Sequence, residues 1–230
     1  MKFLVSGTLA ALFLVSVPLH AQEFRDDWAG LKEGSWTQLY KKKFAGAFFD
    51  WNLKETVKSV GPNELQLESS TWVLEDPKIK TRTISLKGLP GSSQNSGKKA
   101  GEETLECEGK KYKCTMWDYV NGDRKIRTWE SKEVNVPGNA LKTEETNTSD
   151  GEKSSRKAIK LEETIKVGAK DLKCTLFEVE TTSPKVIIKG KTWLCADVPG
   201  LEVKSELSIA APGKPNANEL WVELRDFEKK

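Results

Sequence analysis

Apolar and polar residues alternate at a spacing of two along most of the chain. Residues 52–60 and 64–72 flank the turn cluster Gly61-Pro62-Asn63. The same alternation, rich in β-branched and aromatic residues, recurs at 79–86, 104–119, 125–129, 159–167, 172–180, 186–194, 201–209 and 220–227. The pattern predicts ten or more short strands. Helical spacing is confined to residues 23–31. The expected fold is therefore all-β with at most one or two short helices: a curved antiparallel sheet or half-barrel. Three stretches, 90–103, 143–156 and 210–218, are rich in Gly, Ser, Pro, Asn and charge and read as loops, the first two as mobile ones.

A repeat is superimposed on this alternation. Residues 104–119 (TLECEGKKYKCTMWDY) align with 164–179 (TIKVGAKDLKCTLFEV), placing Lys113-Cys114-Thr115 on Lys173-Cys174-Thr175. Thr128-Trp129 then matches Thr192-Trp193, and Val136-Pro137-Gly138 matches Val198-Pro199-Gly200. Such a period implies one hairpin unit used twice within a shared sheet. A turn centred between Gly122 and Asp123 sets Cys114 opposite Ser131; one centred between Pro184 and Lys185 sets Cys174 opposite Cys195. The expected organisation is a single β domain over 22–230: an N-terminal extension with strands at 22–103, repeat units at 104–146 and 159–209, and a closing strand at 219–228. The two Val-Pro-Gly tripeptides read as turns.

The start of the chain changes the compartment. Lys2 precedes an apolar run over residues 3–17, followed by Pro18 and a small residue, Ala21. That run is long enough for an export signal and short for a membrane span, so cleavage is expected after Ala21, with a periplasmic or extracellular destination. No later segment is apolar enough to cross a bilayer as a helix, so an integral membrane protein is not expected. In an exported chain four cysteines favour disulfides. The register favours Cys174 with Cys195, leaving Cys107 and Cys114 to meet across a tight hairpin. Their spacings lack a paired C-x-x-C, which argues against a four-cysteine zinc site.

Composition narrows the chemistry. The one histidine, His20, lies in the export segment, so the mature chain has no Ser-His-Asp, Cys-His or histidine-ligated metal chemistry. No cofactor or metal is expected. The formal net charge is only +3, with lysines interspersed among glutamates, which excludes a strongly basic nucleic-acid binder. The segment GSSQNSGK (91–98) mimics a phosphate loop but has the wrong spacing and lacks the terminal Ser or Thr. Neighbouring carboxylates such as Glu162-Glu163 point to opposite faces of a strand and form no catalytic pair by themselves. Eight tryptophans fill a thin core or line a concavity. Trp129 and Trp193 hold equivalent repeat positions and read as packing. Trp51, Trp72, Trp117 and Trp221 are the candidates for a ligand or interface surface.

The segments WAGLKEGSW (28–36), TWLCADVPGLEVKSE (192–206) and ELWVEL (219–224) resemble a loose group of exported bacterial β-rich proteins with a W-x-S/C-x-D/E-V-P-G motif. In architecture the layout is also similar to the periplasmic lipoprotein-carrier superfamily. That resemblance implies a curved half-barrel holding a lipid in an apolar cavity. The resulting expectation is a non-catalytic exported protein that binds a lipid or other apolar small molecule on its concave face. The alternative is a structural or interaction module with a cell-envelope protein as partner. A carboxylate-only hydrolase, third in order, needs two carboxyl groups facing each other at roughly 5–10 Å.

Overall fold

A computed structural model of the chain describes residues 30–44, 48–62, 64–73, 76–85, 97–213 and 218–230. The strands are β1 (Trp36–Phe44), β2 (Phe48–Val60), β3 (Glu64–Val73), β4 (Asp76–Ser85), β5 (Lys98–Cys107), β6 (Lys110–Asn121), β7 (Arg124–Glu130), β8 (Lys142–Asn147), β9 (Lys153–Val167), β10 (Lys170–Thr182), β11 (Ile187–Leu194), β12 (Glu202–Ala210) and β13 (Asn218–Glu228). They form one sheet of 13 strands in the order β4-β3-β2-β1-β13-β12-β11-β10-β9-β8-β7-β6-β5. Every pairing is antiparallel. A 3-10 turn at Pro137–Asn139 is the sole helical element among the described residues. The all-β half-barrel expected from the alternation is the fold observed. The export segment at 1–21 lies outside the described residues, as do most of the helical stretch at 23–31 and most of the phosphate-loop lookalike.

Connectivity forces the sheet to curl. Consecutive strands are neighbours everywhere except β4 and β5, which occupy opposite edges, while β1 joins β13. A flat sheet of this size would hold its edges about 58 Å apart at a strand spacing of about 4.8 Å. The chain between Ser85 and Lys98 reaches only about 45 Å when fully extended. Curling also lets a single sheet bury one face without a helical layer. Contacts between strands distant in the order bear this out: Lys170 on β10 stacks over the Phe227 ring on β13 at 4.2 Å, and the Leu161 N–H on β9 donates to Glu108 Oε2 at the β5–β6 turn, 3.0 Å. The concave face carries Phe177, Val179, Ile188, Leu207, Leu220 and Val222, all buried. Gly190 sits among them because a Cβ there would overlap the Glu206 carbonyl oxygen on β12 and lie 2.9 Å from Leu207 Cα.

Part of one expected loop and most of another are strand. Residues 98–103 begin β5, and residues 143–147 and 153–156 belong to β8 and β9 around a short turn. Their charged composition reflects solvated strand faces, which composition alone does not separate from loop. The single run expected over 104–119 is two strands, because Glu108 and Gly109 take left-handed backbone angles (φ 52° and 73°) that close a two-residue hairpin.

The two predicted registers are both present. Thr115 pairs with Glu130, which continues to Cys114 opposite Ser131; Thr175 pairs with Leu194, which continues to Cys174 opposite Cys195. The repeat tryptophans have equivalent surroundings. Lys142 stacks over Trp129 at 4.3 Å and bonds Glu144 at 2.7 Å; Lys204 stacks over Trp193 at 4.6 Å and bonds Glu206 at 2.7 Å. Both Val-Pro-Gly turns then run into two successive left-handed residues, Gly138-Asn139 (φ 73°, 56°) and Gly200-Leu201 (φ 73°, 58°). A leucine accepts that conformation only where its surroundings impose it. The second copy therefore keeps the geometry of the first at a cost.

Candidate functional site

Along the concave face the packing changes from one part of the sheet to another. In the sector β9–β13 this face is closed: Phe177 is fully buried and Val203, Leu220 and Val222 are nearly so. Across β1 and β2 it opens. Register places Trp51 opposite Lys41, and Lys41 opposite Val222; one row on, Phe49 lies opposite Lys43, and Lys43 opposite Leu220. Alternation therefore puts Trp51, Phe49, Lys41 and Lys43 on the face that carries the core. Trp51 and Leu53 are half-buried against the core, and Phe49 is 42% exposed.

Further toward the edge the same face becomes polar. Glu55, only 7% exposed, accepts hydrogen bonds from Ser69 Oγ at 2.8 Å and from Arg82 Nη2 at 2.9 Å. This cross-strand arrangement compensates the burial of the carboxylate. Lys80 is opposite Ser69 and Lys78 opposite Thr71, so both lysines share the concave face with Arg82. Beneath this polar row, Leu31, Val57, Leu65 and Leu67 form a second apolar cluster.

The four candidate tryptophans do not form one surface. Trp51 and Trp117 point to the concave side, at β2 and β6 respectively. Trp72 lies on the opposite face between Asn52 and Pro77, and Trp221 lies there between Lys42 and Glu206. Lys41, Lys43, Lys78 and Lys80 were not singled out by sequence reasoning. Their signal was nevertheless present: the run Lys41-Lys42-Lys43 has no alternation, which is why β1 was not expected as a strand. Thr37 and Leu39 seal the start of the concave face of β1, and over the three lysines neither face is sealed.

The four cysteines are buried and none is bonded to another, and the expected pairing of Cys107 with Cys114 is corrected. For Cys107 and Cys114 the reason is the turn position. Cys107 pairs with Lys110 and Cys114 with Glu103, so the two are four residues apart along the hairpin, about 13 Å and beyond bridging reach. Burial pushes both thiols above their ordinary pKa. Cys174 and Cys195 do face each other. A hydrogen bond from the Cys174 thiol lowers the pKa of Cys195 to about 7 against the opposing effect of burial, and the same bond, with burial, raises that of Cys174. No group of three His, Cys, Asp or Glu among the described residues is placed to hold a metal ion. No helix among them is long and apolar enough to cross a membrane.

No protein-family model and no curated relative matches the chain. Several solved structures align with most of the chain. A candidate lipoprotein of Parabacteroides distasonis aligns over 86% of this chain and 96% of its own, with 13% identity and a TM-score of 0.40. A candidate exported protein of YmcC-like fold from Bacteroides fragilis aligns over 86% and 97%, with 13% identity and a TM-score of 0.39. A DUF1329 family protein from Desulfovibrio piger aligns over 91% and 90%, with 11% identity and a TM-score of 0.37.

Proposed function

We propose that this chain is an exported, non-catalytic binding protein whose concave sheet face receives an apolar or amphiphilic ligand. The observation that carries this reading is the half-open apolar strip of Trp51, Leu53 and Phe49, continuous with the sealed core yet not covered by it. An apolar strip in a concavity, rimmed by polar groups, is the usual form of a small-molecule site. Export rests on the N-terminal segment with Lys2, the apolar run and Ala21. Native mass spectrometry of the protein purified from its own host tests the reading. A copurified lipid-sized mass supports it, and a clean apo mass counts against it.

A second reading, an interaction module of the cell envelope, is favoured by the two sheet edges β4 and β5. Edge strands offer unpaired backbone groups to a partner strand. Ile79 on β4 is 63% exposed. A photo-crosslinker at Ile79 in intact cells checks this: one discrete protein adduct supports it, and unmodified protein alone argues for the ligand reading.

A further inference from the structure

The open strip lies in an unbalanced electrostatic setting. Register places five cations on the concave face of β1 and β4: Lys41, Lys43, Lys78, Lys80 and Arg82. On the concave face of β1–β4 register sets two acidic residues against them: Glu55, which Arg82 and Ser69 already engage, and Asp76 at the start of β4, opposite Val73. Among the described residues no carboxylate pairs with Lys41, Lys43, Lys78 or Lys80. The convex face of the same strands is mixed. Lys58 there pairs with Glu68 at 3.6 Å, and Asp50 accepts a hydrogen bond from the Tyr40 hydroxyl at 2.9 Å. A generic solubilising surface would distribute both signs on both faces, as the convex face does.

The geometry also gives this charge a direction. Lys41 and Lys43 flank Trp51 and Phe49 on the β1 side. Lys78, one row away beyond Leu53 and Thr71, borders the strip at the β4 edge. The apolar strip thus carries an excess of positive charge along its borders: Lys41 and Lys43 on one side, and Lys78 and Lys80 on the other with Asp76 as the one acidic residue at that end. Burying a tail on the strip would bring a polar head within reach of these ammonium groups, and a low-dielectric wall strengthens such attraction.

We infer that the ligand of the concave face is an anionic amphiphile: one hydrocarbon tail bearing a phosphate, carboxylate or sulfate head. This rests on the ligand-binding reading above and specifies the class of ligand. Lys41, Lys43, Lys78 and Lys80 supply the head-group attraction, and Trp51, Leu53 and Phe49 supply the tail contact.

Titration of the purified, folded protein with dodecyl phosphate and with the uncharged dodecyl maltoside, both below micelle formation, tests the inference through tryptophan fluorescence and calorimetry. The expected result is at least about tenfold tighter binding of dodecyl phosphate, with the preference falling as salt rises. The quadruple variant K41Q/K43Q/K78Q/K80Q loses the preference while still binding the maltoside. The milder K78Q/K80Q, confined to an exposed edge strand, loses about threefold and guards against misfolding of the first. Equal affinity for both detergents overturns the anionic inference and leaves the binding reading intact. Binding of neither overturns the binding reading itself. Co-sedimentation with anionic vesicles without monomer binding overturns the inference in favour of a membrane surface.

Discussion

The hairpins β6–β7 and β10–β11 are copies of one design placed in different company. Both align a tryptophan, a stacked lysine and a glutamate in the same register, and both end in a Val-Pro-Gly turn with two left-handed residues. Yet Phe177 of the second is fully buried, whereas Trp117, its repeat partner, is half-buried. The difference is one of position. The hairpin β10–β11 is near the middle of the sheet, while β6 is next to the edge strand β5. Local sequence specifies the ladder, and distance from the edge decides how much of it is sealed.

The largest test of that contrast is truncation. Phe177→Ala leaves a cavity in the closed sector and is expected to cost about 3–5 kcal/mol in urea unfolding. Trp117→Ala removes a larger side chain but should cost less, about 1–2 kcal/mol, because part of it already faces water. Equal losses would mean that the edge unit is as deeply packed as the central one.

The thiols offer the next test. Cys174 faces Cys195, whereas the copy has Ser131 opposite Cys114. Refolding in a glutathione redox buffer should join Cys174 to Cys195 by exchange with oxidised glutathione, each bond formed releasing two glutathione thiols. It should leave Cys107 and Cys114 unlinked, as peptide mapping would show. Closing that loop of about twenty residues should add roughly 3 kcal/mol. The variant Ser131→Cys should confer a second such bond, to Cys114. A Cys107–Cys114 peptide instead would refute the hairpin turn at Glu108-Gly109.

A smaller effect concerns the stacked lysines. Lys142→Ala and Lys204→Ala should each cost about 0.5–1 kcal/mol and agree within a few tenths, since both cover a buried tryptophan. A clear inequality in thermal or urea unfolding would show that equivalence of geometry does not extend to energy.

Several of these features were legible before the structure. The alternation revealed the fold class, and two turn sequences set the hairpin registers to the residue. What was not legible depended on long-range placement. β1 was hidden by its three consecutive lysines, because polar residues on an open concave face erase the alternation that marks a strand. β5 and β8 looked like loops because their charged positions face water on strands near the edge. Trp72 and Trp221 could not be separated from Trp51 by composition; their faces follow from pairing partners in other strands. The cation-lined strip needed β1 and β4 to share a face, and no local window contains that fact.

The weakest expected effect again separates the two copies. In the first, Arg127 Nε and Nη2 hold Asp118 at 2.6 and 2.9 Å. The corresponding residues of the second, Glu178 and Lys191, are opposite each other on the ladder but form no ion pair among the described residues. The hydrogen bonds from Arg127 hold the Asp118 carboxyl below its usual range. A depressed folded pKa contributes stability that is fully present above the unfolded value, about 3.9, and is lost as pH falls through the folded one. Both side chains are well exposed, so solvent screening limits this to less than about 1 kcal/mol. Asp118→Asn should therefore lower stability slightly at pH 7 and flatten its fall below about pH 4. Glu178→Gln should leave stability at pH 7 nearly unchanged, because it removes no ion pair. If Glu178→Gln lowered stability at pH 7 as much as Asp118→Asn, the second copy would hold an ion pair in solution and the two hairpins would be closer in their electrostatics than in their packing.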